Sequence, residues 1–307
     1  LKILIIKLGA LGDVVMATPL IRCIQRAHAG ADIQLLTAPA YAGVFAAWDG
    51  LEVRVEPRRG VTATLRTLRW IREARFDRVY DLQSNDRSAL LCALSGIPVR
   101  IGNHPRFPYT HHPARAYRGE THIFERMNEV LAAAGIGPAP PLPEIPAGAS
   151  DAARVTRWLD DHGLRGQAFA AMHAGASPHR ADKRWPHFAR LAEGLADAGL
   201  ALVWLGAEPD IPLNRRLSAA HGIDATGAFS IAQLPLLARH ARFALTNDSG
   251  PMHALAAAGI PVYAFFGPSD WRRNHALGQG QRVFASPDLA AISPDAVLER
   301  LRRDQLL

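Results

Sequence analysis

Four segments bring together residue types that could do chemistry, each where a β-rich run gives way to a helix-forming one. The first is Lys7-Leu8-Gly9-Ala10-Leu11-Gly12-Asp13. Its glycines let the backbone turn tightly and approach a ligand, and the following helix offers free amides. Asp13 admits two readings. An acid in a first helical turn complements the dipole and caps N–H groups; a carboxylate at a sheet edge can also take a proton from a sugar hydroxyl. The glycine spacing matches neither the dinucleotide fingerprint nor a P-loop. The second segment runs Met172-His173-Ala174-Gly175-Ala176-Ser177, then Ala181-Asp182-Lys183-Arg184-Trp185-Pro186. A small-residue loop, two cations and a proline opening a helix describe an anion site, with Ser177 as a hydroxyl donor. A surface loop of solvated charges is the alternative.

In Leu205-Gly206-Ala207-Glu208 a strand ends at a glycine turn with an acid. Glu208 there either accepts both hydroxyls of a ribose or faces solvent. The fourth segment is Thr246-Asn247-Asp248-Ser249-Gly250-Pro251-Met252-His253. Asp-Ser-Gly-Pro looks like the nucleophile segment of a serine protease, but that chemistry sits on disulfide-bearing β-barrels, and a nucleophile elbow is absent. A strand end, Asp-Ser-Gly and a Pro-led helix instead present amides and a hydroxyl to a diphosphate. His253, one turn into that helix, reads first as a buried histidine bonded to backbone. No metal is expected, because no His/Asp/Glu cluster has ligand spacing. Gly267-Pro268-Ser269-Asp270 follows the next strand as a turn.

These segments need elements to hold them. Strands are expected at residues 2–7, 33–37 and 78–82, with helices at 13–28, 61–74 and 88–95. After a Pro-, His- and Arg-rich loop at 103–119 comes a helix at 121–134, with Thr121 as its N-cap. Residues 135–150, rich in proline, mark a domain boundary. Alternation then resumes, with strands at 169–173, 201–205, 243–246 and 262–265 and helices at 151–162, 186–198, 231–239, 251–258 and 294–303. The fold class is therefore α/β: two Rossmann-like, doubly wound parallel-sheet domains, 1–145 and 146–307, the last helix packing back on the first domain. Ligands in such sheets bind outside the carboxyl ends of the strands, where all four segments fall.

Composition narrows the partners. In 307 residues, 35 basic against 28 acidic side chains give a net charge of +7, which favours an anionic partner. The basic residues are nearly all arginine; Lys2, Lys7 and Lys183 are the lysines, so each stands out. Cys23 and Cys92 are too few for a disulfide framework and read as buried thiols in helices. The apolar stretch 254–266 is interrupted by Gly259 and Pro261 and is too short to span a membrane. No signal peptide is recognised at the N-terminus, so a cytoplasmic protein is expected.

Taken in order and spacing, the motifs resemble glycosyltransferase family 9, the bacterial lipopolysaccharide heptosyltransferases, over nearly the whole chain. The matching residues are Leu11-Gly12-Asp13, Gly175-Ala176-Ser177 with Lys183-Arg184-Trp185-Pro186, Gly206-Ala207-Glu208, Thr246 to Gly250 with Met252-His253, and Gly267-Pro268. The resemblance implies the GT-B fold, two domains facing a cleft, the first for the acceptor and the second for the ADP-sugar. It implies inverting transfer of heptose from ADP-L-glycero-β-D-manno-heptose to the lipopolysaccharide inner core, with neither metal nor cofactor. A monomer working at the inner membrane face, without nucleic acid, is expected. Carried over residue by residue, the general base is Asp13 and the phosphate-binding lysine is Lys183. The ribose acid is Glu208, and the donor loop is Asp248, Ser249 and Gly250, with His253 and Ser177 beside it. On the acceptor side stand Gly12, Gln83, Arg87 and Arg66, with Arg58, Arg59, Arg69 and the arginines of 106–118 as further basic candidates. The iron-binding cysteine pattern of protein-modifying relatives is absent, which argues against a protein acceptor. Rival readings are transfer of another nucleotide-sugar, a nicotinamide-dependent oxidoreductase lacking the required glycine turn, and a basic nucleic-acid-binding protein lacking any recognised motif. Lys2 and Lys7 acquire no role.

Overall fold

Short runs of branched apolar residues, too few to cross a core as helices, make the parallel strands of the first unit, Leu1–Pro146. These are β1 (Lys2–Ile6), β2 (Asp32–Thr37), β3 (Glu52–Val55), β4 (Arg78–Asp81) and β5 (Val99–Ile101), in the order β3-β2-β1-β4-β5. Helices α1 (Leu11–Ala27), α2 (Val61–Ala74), α3 (Asp86–Leu94) and α4 (Ile123–Ala133) complete it. Ile3, Leu4, Ile5 and Ile6 are fully buried, as in a strand covered on both faces. The chain order reverses between β1 and β4, so the loops after these two strands meet at the switch point. The structure is a computed structural model and describes residues 1–57, 60–115, 119, 121–177 and 179–307. Arg58, Arg59 and Arg118, counted above among the basic candidates, lie outside these.

The second unit, Ala147–Leu307, repeats the plan. Its helices are α5 (Ala149–Asp161), α6 (Phe188–Asp197), α7 (Ile211–Ala220), α8 (Gln233–Ala238), α9 (Gly250–Ala256), α10 (Trp271–Asn274) and α11 (Pro294–Arg303). Its strands are β6 (Phe169–His173), β7 (Ala201–Trp204), β8 (Ile223–Asp224), β9 (Phe243–Asn247), β10 (Val262–Phe266) and β11 (Val283–Ala285). They pair in parallel in the order β11-β10-β9-β6-β7-β8. Here β6 and β9 adjoin across the reversal, so the loops carrying Lys183 and Asp248 are neighbours.

Two expectations, the cap of α4 and the burial of Cys23, are corrected. Helix α4 begins at Ile123, and its cap is His122 rather than Thr121, because the His122 ring nitrogen accepts the Phe124 amide at 3.1 Å. Within the second unit, Val297, Leu298 and Leu301 of α11 enter the core, and Gly194 of α6 lets α11 come close, since a Cβ there would lie 2.6 Å from Leu298 Cδ1. Cys92 is buried as expected, but Cys23 is half-buried. Among the described residues, no helix is long and apolar enough to cross a membrane.

Candidate active site

At the first unit's carboxyl edge, Gly9 adopts φ +131°, a conformation that L side chains rarely take, and the chain turns from β1 into α1. Gly12 is buried in the first turn of α1. Asp13 lies in the first turn of α1, where its charge complements the helix dipole, but the helix is capped at Ala10 without any side-chain bond. The Asp13 carboxylate is partly presented to solvent, 29% exposed, with Oδ2 3.9 Å from Nζ of Lys7. Lys7 itself is 2% exposed and donates to the carbonyl of Leu82 at 3.0 Å. The loop is clamped from β4's end: Gln83 Oε1 accepts the amides of Leu8 at 2.8 Å and Gly9 at 3.1 Å. Behind Gln83, the fully buried Asp81 accepts the amides of Gln83 and Ser84 and, at 2.6 Å, the Tyr109 hydroxyl. Burial raises the Asp81 carboxyl, while these donors pull it back. Tyr109 reaches in over Gly102, where a Cβ would lie 2.3 Å from its ring.

The second unit's edge is built around buried Asn247 at the end of β9. Its Nδ2 donates to the carbonyls of Ala174 (2.8 Å) and Gly175 (3.1 Å), and its Oδ1 accepts the Trp185 amide (2.9 Å). Trp185 is buried and stacked on Phe265 at 4.1 Å, with its indole N–H on the Ile292 carbonyl. The motif Lys-Arg-Trp-Pro therefore anchors its tryptophan in the core and leaves Lys183 at the edge. Nζ of Lys183 lies 2.6 Å from Asp248 Oδ2, with side chains 18% and 9% exposed. Ser249 is the N-cap of α9 but makes no side-chain cap bond. Its hydroxyl lies 3.3 Å from Nδ1 of the buried His173 and 3.5 Å from Thr246 Oγ1. Burial pushes His173 down to about 4, reinforced by Arg184 and opposed by Asp210. Gly250 opens α9, and His253 is buried within it.

The remaining donor candidates are less enclosed. Ser177 is exposed on its loop, its carbonyl accepting the Arg180 amide at 2.8 Å. Glu208 is exposed at the start of a 3-10 turn, Glu208–Asp210. Asp210, which sequence reasoning missed, is the buried acid of that turn. Its Oδ2 accepts the Ala207 amide at 3.0 Å, while its Oδ1 lacks a hydrogen-bond partner and lies 3.9 Å from Arg184 Nη2. Two glycines make room for it: a Cβ on Gly175 would fall 2.4 Å from Asp210 Oδ1, and one on Gly206 2.8 Å from its Cβ. Glycine-Ala-Ser and Gly-Ala-Glu thus share one packing reason.

The acceptor candidates divide. Gln83 has its carbonyl committed to the Asp13 loop, a positioning task. Arg66 is committed too, donating through Nε (3.1 Å) and Nη2 (2.9 Å) to Glu56, a buried acid just past β3 that also takes Arg54. Arg87 lies half-buried in the first turn of α3, and Arg69 pairs with Glu73 on α2. Among the described residues, no group of three His, Cys, Asp or Glu could hold a metal ion.

Residues 64–296 match the family model described as glycosyltransferase family 9 (heptosyltransferase). Lipopolysaccharide heptosyltransferase 2 of Escherichia coli (strain K12) is 26% identical over 302 residues, spanning 88% of this chain and 83% of its own. Lipopolysaccharide heptosyltransferase 1 of the same strain is 26% identical over 331 residues, spanning 98% and 99%. The solved structure of E. coli ADP-heptose LPS heptosyltransferase II is 25% identical and superposes with a TM-score of 0.79 over 99% of this chain and 98% of that one. With two all-parallel sheets, the fold is of the GT-B class.

Proposed function

The chain belongs to glycosyltransferase family 9, and on that premise we propose that it transfers a heptose, with inversion, from ADP-heptose to the inner core of lipopolysaccharide. The observation that carries the reading is the pair of charges at the two sheet edges: a partly exposed carboxylate, Asp13, over a buried ammonium, and Lys183 over a buried carboxylate. Asp13 takes the proton of the acceptor hydroxyl as its oxygen bonds to the anomeric carbon. The anomeric C–O bond to phosphate breaks on the opposite side, and its electron pair leaves on ADP. Lys183 exchanges Asp248 for a diphosphate oxygen, and the amides at Ser249 and Gly250 add donors to the charge that develops there. Ser177 and Glu208, exposed on neighbouring loops, bind the donor's phosphate and ribose. Because fixed cation and amides neutralise the leaving group, the reaction needs no metal ion and proceeds in EDTA.

The test is transfer itself: purified protein, ADP-heptose, and lipopolysaccharide from a strain lacking inner-core heptose, read by mass spectrometry of the glycan. A gain of one heptose with release of ADP is expected. An unchanged acceptor, alongside turnover of another nucleotide-sugar, would replace the heptose assignment.

A further inference from the structure

Lys7 is one of three lysines in the chain and is buried where a charge is costly, at the end of the central strand of the first unit. Its ammonium stands between the end of β4 and the start of α1, with a hydrogen bond to the first and a charge contact to the second. Its Nζ donates to the Leu82 carbonyl at 3.0 Å, and next to that carbonyl Gln83 holds the amides of Leu8 and Gly9. The same Nζ lies 3.9 Å from Asp13 Oδ2, too far for a hydrogen bond and close enough for a strong charge contact from a desolvated ammonium. Asp13 has no helix-cap bond to aim it. A leucine or isoleucine would complete β1's apolar run more cheaply, so packing does not account for a lysine here.

Resting on the reading that Asp13 is the base of a glycosyl transfer, we propose that Lys7 is its positioning residue. The buried ammonium draws Oδ2 inward and balances the carboxylate's charge, so that Oδ1 is turned toward the acceptor hydroxyl. When the acceptor's proton moves to Asp13, the acid becomes neutral and Lys7 keeps its place on the Leu82 carbonyl. After the products leave, Asp13, 29% exposed, gives that proton to solvent, and the carboxylate returns to its contact with Lys7 for the next turnover. Lys7 touches no substrate and acts only through Asp13.

Lys7→Gln separates this role from a merely structural one, because an amide can still donate to Leu82 but carries no charge. With ADP-heptose and heptose-free lipopolysaccharide, kcat is expected to fall ten- to a hundredfold, while KM for ADP-heptose and the Tm stay near wild type. In an Asp13→Asn background the same change should cost nothing further, since residues that act as a unit are not additive. Lys7→Met, lacking both charge and donor, is run in parallel and is expected to match the kcat of Lys7→Gln. A wild-type kcat in Lys7→Gln, or an equal loss with and without Asp13, overturns the inference even if Lys7→Met fails to fold. Wild-type protein without transfer would instead defeat the reading of the reaction, and an active Asp13→Asn would defeat the base assignment, so the failures are distinguishable.

Discussion

The two sheet edges carry the same pair of side chains with opposite sides outward. In the first unit the lysine is buried and the aspartate presented; in the second the aspartate is the more buried and the lysine the more presented. The contacts differ accordingly. Lys183 and Asp248 are in direct hydrogen-bond contact, so one must let go when a ligand arrives, whereas Lys7 and Asp13 are spaced at 3.9 Å and leave the carboxylate free to accept a proton. The proposed roles match this contrast: the edge proposed to take a proton shows an acid, and the edge proposed to hold a diphosphate shows a cation.

The largest effect that could break this contrast is on turnover. Asp13→Asn should fold and bind ADP but lose transfer by about 10² or more, the scale of a general base; steady-state kinetics would show it, and an unimpaired kcat would remove Asp13 from the reaction. Next comes acid stability, which sharpens the second edge. His173 is held neutral in the folded protein down to about pH 4 and protonates near 6.5 when unfolded, so the unfolded chain binds the extra proton. Stability should therefore fall as pH drops from about 6.5 towards 4, by on the order of 3 kcal/mol, and His173→Gln should flatten that part of a urea-unfolding profile. Lys183→Ala should weaken ADP roughly ten- to a hundredfold, the scale of a charged hydrogen bond; titration calorimetry reads it directly. The smallest change tests the scaffold under Asp13. Tyr109→Phe leaves buried Asp81 without its phenol and should cost about 1–3 kcal/mol in urea unfolding, with ADP affinity unaltered.

How much of this could be read beforehand follows from where the signal lies. Alternating apolar runs and helical stretches located both sheets, and the strand-to-helix junctions located Asp13, Lys183 and Asp248, because backbone geometry there demands glycines, prolines and caps in order. The short edge strands β3, β5, β8 and β11 and the helix α7, with Pro212 and two arginines inside it, lack such runs and went unread. Missing β3 hid Glu56, and with it the partner that commits Arg66. Buried polar links between distant segments leave no trace in spacing: Asn247 holding Ala174, Gly175 and Trp185, and Asp81 holding Tyr109. The glycine-turn motif ends at Glu208 and leaves Asp210 out; only the packing of Gly175 and Gly206 around Asp210 shows which acid the turn encloses.

The central claim is that the two edges divide the work, proton removal at Asp13 and diphosphate binding at Lys183. Calorimetric titration of ADP into wild type, Asp13→Asn and Lys183→Ala under one set of conditions tests that division most directly. The account predicts wild-type affinity in Asp13→Asn and a tenfold or greater loss in Lys183→Ala. Equal weakening in both variants, or none in Lys183→Ala, would contradict it.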